Sequence, residues 1–222
     1  LLSTERPLLA RPIAWDIELS IHLLRSALHD DDAFGISTDE RTGPYVRLID
    51  ISPRNELYAS LNAYYQLSSA SMHHTREAFE NLSYNEKASL LEKLIDYNPE
   101  SVVALYTFEV LGEVHDLSVV SRYAQRLFIQ SVSPRLGYAS IDESEDETYE
   151  TFFDESLAAH SRLHAEFGEN IAQLACLRGH RVRYIFQITP VNLTKLTELQ
   201  LMPQIANELE SKHPLIHDKL LS

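Results

Sequence analysis

Hydrophobic and polar positions alternate with period two in three stretches. Tyr45-Val46-Arg47-Leu48-Ile49-Asp50-Ile51 predicts a first strand, which Pro53 ends. Val102, Ala104, Tyr106, Phe108 and Val110 share one face of a second. Val182, Tyr184, Phe186 and Ile188 alternate with Arg181, Arg183 and Gln187 and predict a third. Helical spacing fills the intervals. A helix is expected from about Asn55, with Leu57, Leu61 and Tyr64 on one side. Ser83-Tyr84-Asn85-Glu86 reads as a capping box at the start of a helix lined by Leu90, Leu91, Leu94 and Ile95, which Pro99 breaks.

Further along, a helix is expected over 117–127, then a short extended piece over 128–133. The acid-rich stretch 142–155 reads as a solvated loop entering a helix whose buried side is Tyr149, Phe152, Phe153, Leu157 and Leu163. Leu193, Leu196 and Leu199 mark one more helix, and Ile205 and Leu209 a last short one. Strands and helices intermingle, but the strands are too few for a doubly wound sheet. The expected class is α+β, a small sheet covered by helices.

The first 44 residues stand apart. Ala14, Ile17, Ile21, Leu24 and Leu28 predict an amphipathic helix over 13–28, and the polar stretch Ser37 to Pro44 reads as a linker. A lone helix cannot bury its own stripe, so it belongs with the main domain or with a neighbour. Because the chain begins at Leu1, residues 1–44 are read as the tail of a preceding domain and 45–222 as the main domain.

Composition narrows the function. The 222 residues carry 19 Lys+Arg against 33 Asp+Glu, a formal net charge of −14, the wrong sign for a nucleic-acid binder. No apolar run is long enough to cross a bilayer and no secretion signal is visible. The single Cys176 excludes an internal disulfide framework and suits a cytoplasmic protein. Set among apolar neighbours, it reads as a buried, inert thiol.

His160 and His164, spaced i, i+4, could share a metal, but Ser161 stands where a zinc protease carries Glu and no third ligand is evident. They read as two solvent-facing histidines, His73 and His74 likewise, and no metal site is assigned. With 6 glycines in the chain, there is no glycine-rich phosphate loop. The segment with the most chemical promise runs from Ser121 to Tyr138. Arg122, Arg126, Arg135, Ser131 and Ser133 offer forked cations and hydroxyls to a phosphate or a planar base.

In order, these pieces resemble the flavin-dependent thymidylate synthases over roughly residues 45–212, and the resemblance implies that family's α+β architecture, a small, mostly antiparallel sheet flanked by helices. The opening strand Tyr45 to Asp50, the helix around Ala59 to Tyr65, the turn Leu94-Ile95-Asp96-Tyr97-Asn98-Pro99-Glu100-Ser101 and the strand Thr107-Phe108-Glu109-Val110 are similar to that family's opening elements. Ser133-Pro134-Arg135-Leu136-Gly137-Tyr138 is the most specific element. With Arg183-Tyr184 and Leu196-Thr197-Glu198-Leu199, it is most similar to the second half of duplicated members.

The resemblance implies methylation of dUMP to dTMP with methylenetetrahydrofolate as carbon donor, FAD as hydride carrier and NADPH as reductant, in a tetramer with sites between subunits. It places Ser133 and Arg135 at the nucleotide and Arg122 at the flavin, and assigns no catalytic residue. The chain also departs from the family pattern. The flavin-contacting Arg-His-Arg becomes Arg122-Tyr123-Ala124 or Ser121-Arg122-Tyr123, the Asn-x-Arg contact falls on Thr189-Pro190-Val191, and a pyrimidine-binding Arg falls on Gln200. The resemblance therefore implies a degenerate half, a pseudoenzyme partnered by a first-half domain or by copies of itself. One alternative is an active synthase with unusual ligands; another is a non-enzymatic helical scaffold or interaction module with the 13–28 stripe as its surface.

Overall fold

A computed structural model describes residues 44–130, 132–138 and 147–221. The expected helix over 13–28, its linker and the acidic stretch 142–146 lie outside the described residues. So does the side chain of Tyr149.

Four strands form one antiparallel sheet in the order β1-β2-β4-β3, where β1 is Tyr45–Ser52, β2 Leu105–Glu113, β3 Arg126–Ile129 and β4 Arg181–Ile188. The α+β class is the one the periodicity implied, and the antiparallel sheet flanked by helices is the one the resemblance implied. On its inner face, Phe108 lies opposite Phe186, with ring centroids 5.4 Å apart, and Val110 opposite Tyr184. Val46, Leu48 and Leu127 extend that face onto the edge strands. A bulge between Leu48 and Asp50 shifts the β1 register, and the Leu48 N–H donates to Glu208 Oε2 at 3.0 Å.

The helices are α1 (Leu61–Gln66), α2 (Met72–Glu80), α3 (Tyr84–Tyr97), α4 (Asp116–Tyr123), α5 (Glu147–Phe167), α6 (Glu169–Ala172), α7 (Pro190–Leu193), α8 (Met202–Glu210) and α9 (Pro214–Leu220). A 3-10 turn over Glu56–Ser60 precedes α1. Leu91 and Ile95 of α3, Val119 and Val120 of α4, Ile205 and Leu209 of α8 and Ile216 of α9 join the strands in a single core. The capping box at α3 is formed as expected: Ser83 Oγ accepts from Glu86 N, and the Glu86 carboxylate accepts from Ser83 N at 2.8 Å.

Three expectations need correction. The helix over 117–127 stops at Tyr123, because Gln125 N donates to Gln187 O at 2.7 Å and the chain turns into β3. Leu196 and Leu199 are buried but not helical. After α7, Leu196 N bonds Leu193 O and Leu199 N bonds Leu196 O, so successive three-residue turns bring each leucine back to the core. On α5, Phe153 is buried as expected, whereas Phe152 and Leu157 are exposed.

Candidate functional site

The Ser133–Tyr138 segment forms a compact turn clamped to the start of β4. Gln130 N donates to Arg183 O at 3.0 Å, prolonging the β3 pairing, and Pro134–Leu136 then forms a 3-10 turn. Gly137 closes it at φ 81°, a conformation open to glycine, with its N–H bonded to Pro134 O at 3.1 Å. Its carbonyl accepts from Arg181 N at 2.9 Å, and Tyr138 bridges to His180. The Arg181 guanidinium lies over the turn, with Nη1 3.7 Å from the position a Gly137 Cβ would take. Ser133 is half-buried at the entry to this turn and Arg135 sits on its 3-10 segment, though the Arg135 side chain lies outside the described ones.

Behind the turn, the Tyr138 ring stacks on Phe153 at 4.0 Å and 11°, and Phe153 meets His180 edge-on at 4.7 Å. Leu177 N donates to His180 Nδ1 at 2.8 Å, so the neutral ring carries its proton on Nε2. Burial holds the His180 imidazole below its ordinary value. The Cys176 thiol is half-buried and donates to Val132 O at 3.5 Å, in line with an inert group.

The solvent-facing reading of the i, i+4 pair holds only for His164. His160 is 1% exposed, because Phe153, Ser156 and His160 share the inward face of α5, and neither of its ring nitrogens has a hydrogen-bond partner. Among the described residues no group of three or more His, Cys, Asp or Glu side chains is arranged for a metal ion.

Arg122 lies at the other end of β3. Gln125 bonds Gln187 and Gln130 bonds Arg183, so about 16 Å of extended chain separates it from Ser133 and Arg135. At the C-terminus of α4, Arg122 Nε donates to Ser118 O at 3.1 Å and Nη2 meets Glu198 Oε2 at 3.4 Å, with 54% of the side chain exposed. Asn192 Nδ2 donates to Tyr123 O at 3.0 Å beside it. Thr189, where the resemblance expects a flavin contact, caps α7 through Asn192 N, and Pro190 is buried. These residues do not fit a flavin diphosphate: Thr189, Pro190 and Val191 supply no cation, and Arg122 is tied to Glu198.

The outer face of the sheet sets polar side chains beside Leu111, Phe128 and Ile185. Arg183 Nε donates to Tyr45 Oη at 3.0 Å and its guanidinium lies 6.0 Å from that ring's centroid. Gln187 Nε2 donates to Thr107 Oγ1 at 3.2 Å. Period-two reading had already put Arg181 and Arg183 on this side of β4. The docking of Arg181 on the Gly137 turn was not visible, since it depends on pairing across the gap between β3 and α5.

Solved structures share this fold. The UMP/dUMP methylase PolB from Streptomyces cacaoi bound with 5-Br dUMP superposes with a TM-score of 0.59 at 12% sequence identity, over 81% of this chain and 95% of that one. The same methylase bound with 5-Br UMP gives 0.56 at 12%, over 81% and 94%. The chain has that methylase's fold. No protein-family model matches the sequence, and no curated protein matches it. No described helix is long and apolar enough to cross a membrane.

Proposed function

We propose that residues 45–222 form a pyrimidine-nucleotide domain of thymidylate synthesis, a degenerate half that supports methylation of dUMP at a site completed by another domain or another copy. The observation that carries this reading is the Ser133-Pro134-Arg135-Leu136-Gly137-Tyr138 turn, fixed to β4 under the Arg181 guanidinium, in a chain with the fold of a UMP/dUMP methylase. In this reading the Ser133 hydroxyl and the forked Arg135 guanidinium hold the nucleotide phosphate. Arg122 is the residue that the resemblance directs toward a flavin, and it must leave Glu198 to reach one. FAD, with NADPH and methylenetetrahydrofolate as co-substrates, is then held by the completing domain. The separation of Arg122 from Ser133 along β3 supports a division of labour in which no single copy holds both ligands.

The test is a melting curve with dUMP, UMP and FAD separately, on this chain and on the chain co-expressed with a first-half domain. A ligand at 100 times its dissociation constant stabilises by about 2.7 kcal/mol. dUMP is expected to raise the midpoint of wild type but not of Ser133→Ala or Arg135→Ala, and FAD to act only on the pair. Absence of a dUMP shift in both preparations would overturn the reading.

A further inference from the structure

An open groove of about 480 Å³ runs along the outer side of α5, beside the Gln173–Ala175 turn, lined by Phe152, Glu155, Ala158, Ala159, Arg162 and Leu177 among others. Phe152 is 58% exposed and Leu177 38%, so the apolar part faces solvent in the isolated chain. Phe152, Glu155, Ala159 and Arg162 recur at i, i+3, i+7 and i+10, a single stripe along the helix. At its middle are two alanines, small enough for another helix to approach closely. Glu155 and Arg162 flank them at equal distance with opposite charge. Seven residues span about 10.5 Å of helix, too far for the two to pair with each other. Neither has a hydrogen bond or ion pair with another described residue.

We propose that this stripe is the docking surface for a second copy of the same chain, with the two α5 helices antiparallel and crossing at Ala158–Ala159. A two-fold axis through that point sets Glu155 of each copy against Arg162 of the other, so the pattern is complementary to itself. It also lays each Phe152 along the other copy's Arg162 and covers the exposed apolar surface. The symmetry of the charges about the alanines is what selects a second copy, since an unrelated partner has no reason to require it. At a net charge of −14, two copies repel in general, and local pairing of this kind is what overcomes the repulsion. The proposal goes beyond the nucleotide reading and does not depend on it.

Sedimentation equilibrium of the full chain tests it with three samples. Wild type is expected to dimerise reversibly, more weakly as salt rises. Glu155→Arg and Arg162→Glu each place like charges at both contacts and should weaken the dimer by about 100-fold. An equimolar mixture of the two variants meets opposite charges at both contacts and should dimerise again. Both residues are exposed, and unchanged melting curves establish that each variant is folded. A monomeric wild type, single variants that dimerise like wild type, or a mixture that stays monomeric would each overturn the proposal.

Discussion

Tyr106 Oη, on the central strand β2, lies 3.1 Å from His213 Nδ1 in the turn before α9, with the two rings edge-on at 5.5 Å. Burial holds the phenol protonated and pulls the imidazole down to about 4, although the backbone of Arg54 and Pro53 favours its charged form. The pair is therefore a bond between two neutral groups. An unfolded histidine titrates near 6.5, so between pH 6.5 and 4 the unfolded chain binds the extra proton. Stability must fall as the pH drops through that window, by up to about 3 kcal/mol from this group. Urea unfolding at pH 7 and pH 4.5 should show the loss, and His213→Gln should reduce its slope. His180, also held down by burial, adds to the loss in the same direction.

Gly112 on β2 faces Asp116, Tyr184 and Leu201. A Cβ there would stand 2.9 Å from Asp116 Oδ2, 3.1 Å from Leu201 Cδ1 and 3.2 Å from Tyr184 Oη. Asp116 Oδ2 cannot readily move, because it accepts from Glu113 N at 2.9 Å. Gly112→Ala is expected to destabilise by about 1–3 kcal/mol, the usual cost of overpacking, measured as a lower urea midpoint at unchanged slope.

His160 buries two ring nitrogens without partners. Exchanging such a group for an apolar one removes a desolvation cost without breaking a bond. His160→Leu should therefore be neutral or raise stability by about 1 kcal/mol, whereas most core substitutions lower it. Calorimetric melting of the two proteins decides the sign.

Arg122 pairs with Glu198 at the surface, where such pairs contribute little. Arg122→Ala should change stability by less than about 0.5 kcal/mol and leave the dUMP melting shift of the chain intact, while Arg135→Ala removes that shift. Loss of the dUMP shift in Arg122→Ala would mean that the two ends of β3 meet in one site across subunits.

Sequence alone carried the buried faces of the elements further than their ends. Val182 to Ile188 alternate because β4 packs one face on the helices and leaves the other, with Arg181, Arg183 and Gln187, half-buried, a pattern printed directly in the residue order. The α3 capping box is equally local. The end of α4 was not legible, because Leu127 and Phe128 continue an apolar spacing and only the bond from Gln125 to Gln187 stops the helix. His160 was misread for a related reason: a histidine carries no period of its own, and its burial follows from Phe153 and Ser156 taking the inward face. At the candidate site, the Ser133 to Tyr138 turn announced itself by its residues, but its clamp to Arg181 joins segments 44 residues apart (137 to 181).

The bond from Leu48 N to Glu208 spans 160 positions, and Glu56 Oε2 likewise accepts from Leu215 N at 3.0 Å and Ile216 N at 3.3 Å near the other end of the domain. During synthesis the first strand therefore leaves the ribosome long before the groups that satisfy it exist. The Leu48 bond can form only after α8 has emerged and the Glu56 bonds only after α9, so the last helices act as the keystone of the β1 strand and the turn that follows it. Ribosome-stalled chains ending before residue 200 should leave β1 open to protease, and protection should appear only once α9 is free of the exit tunnel.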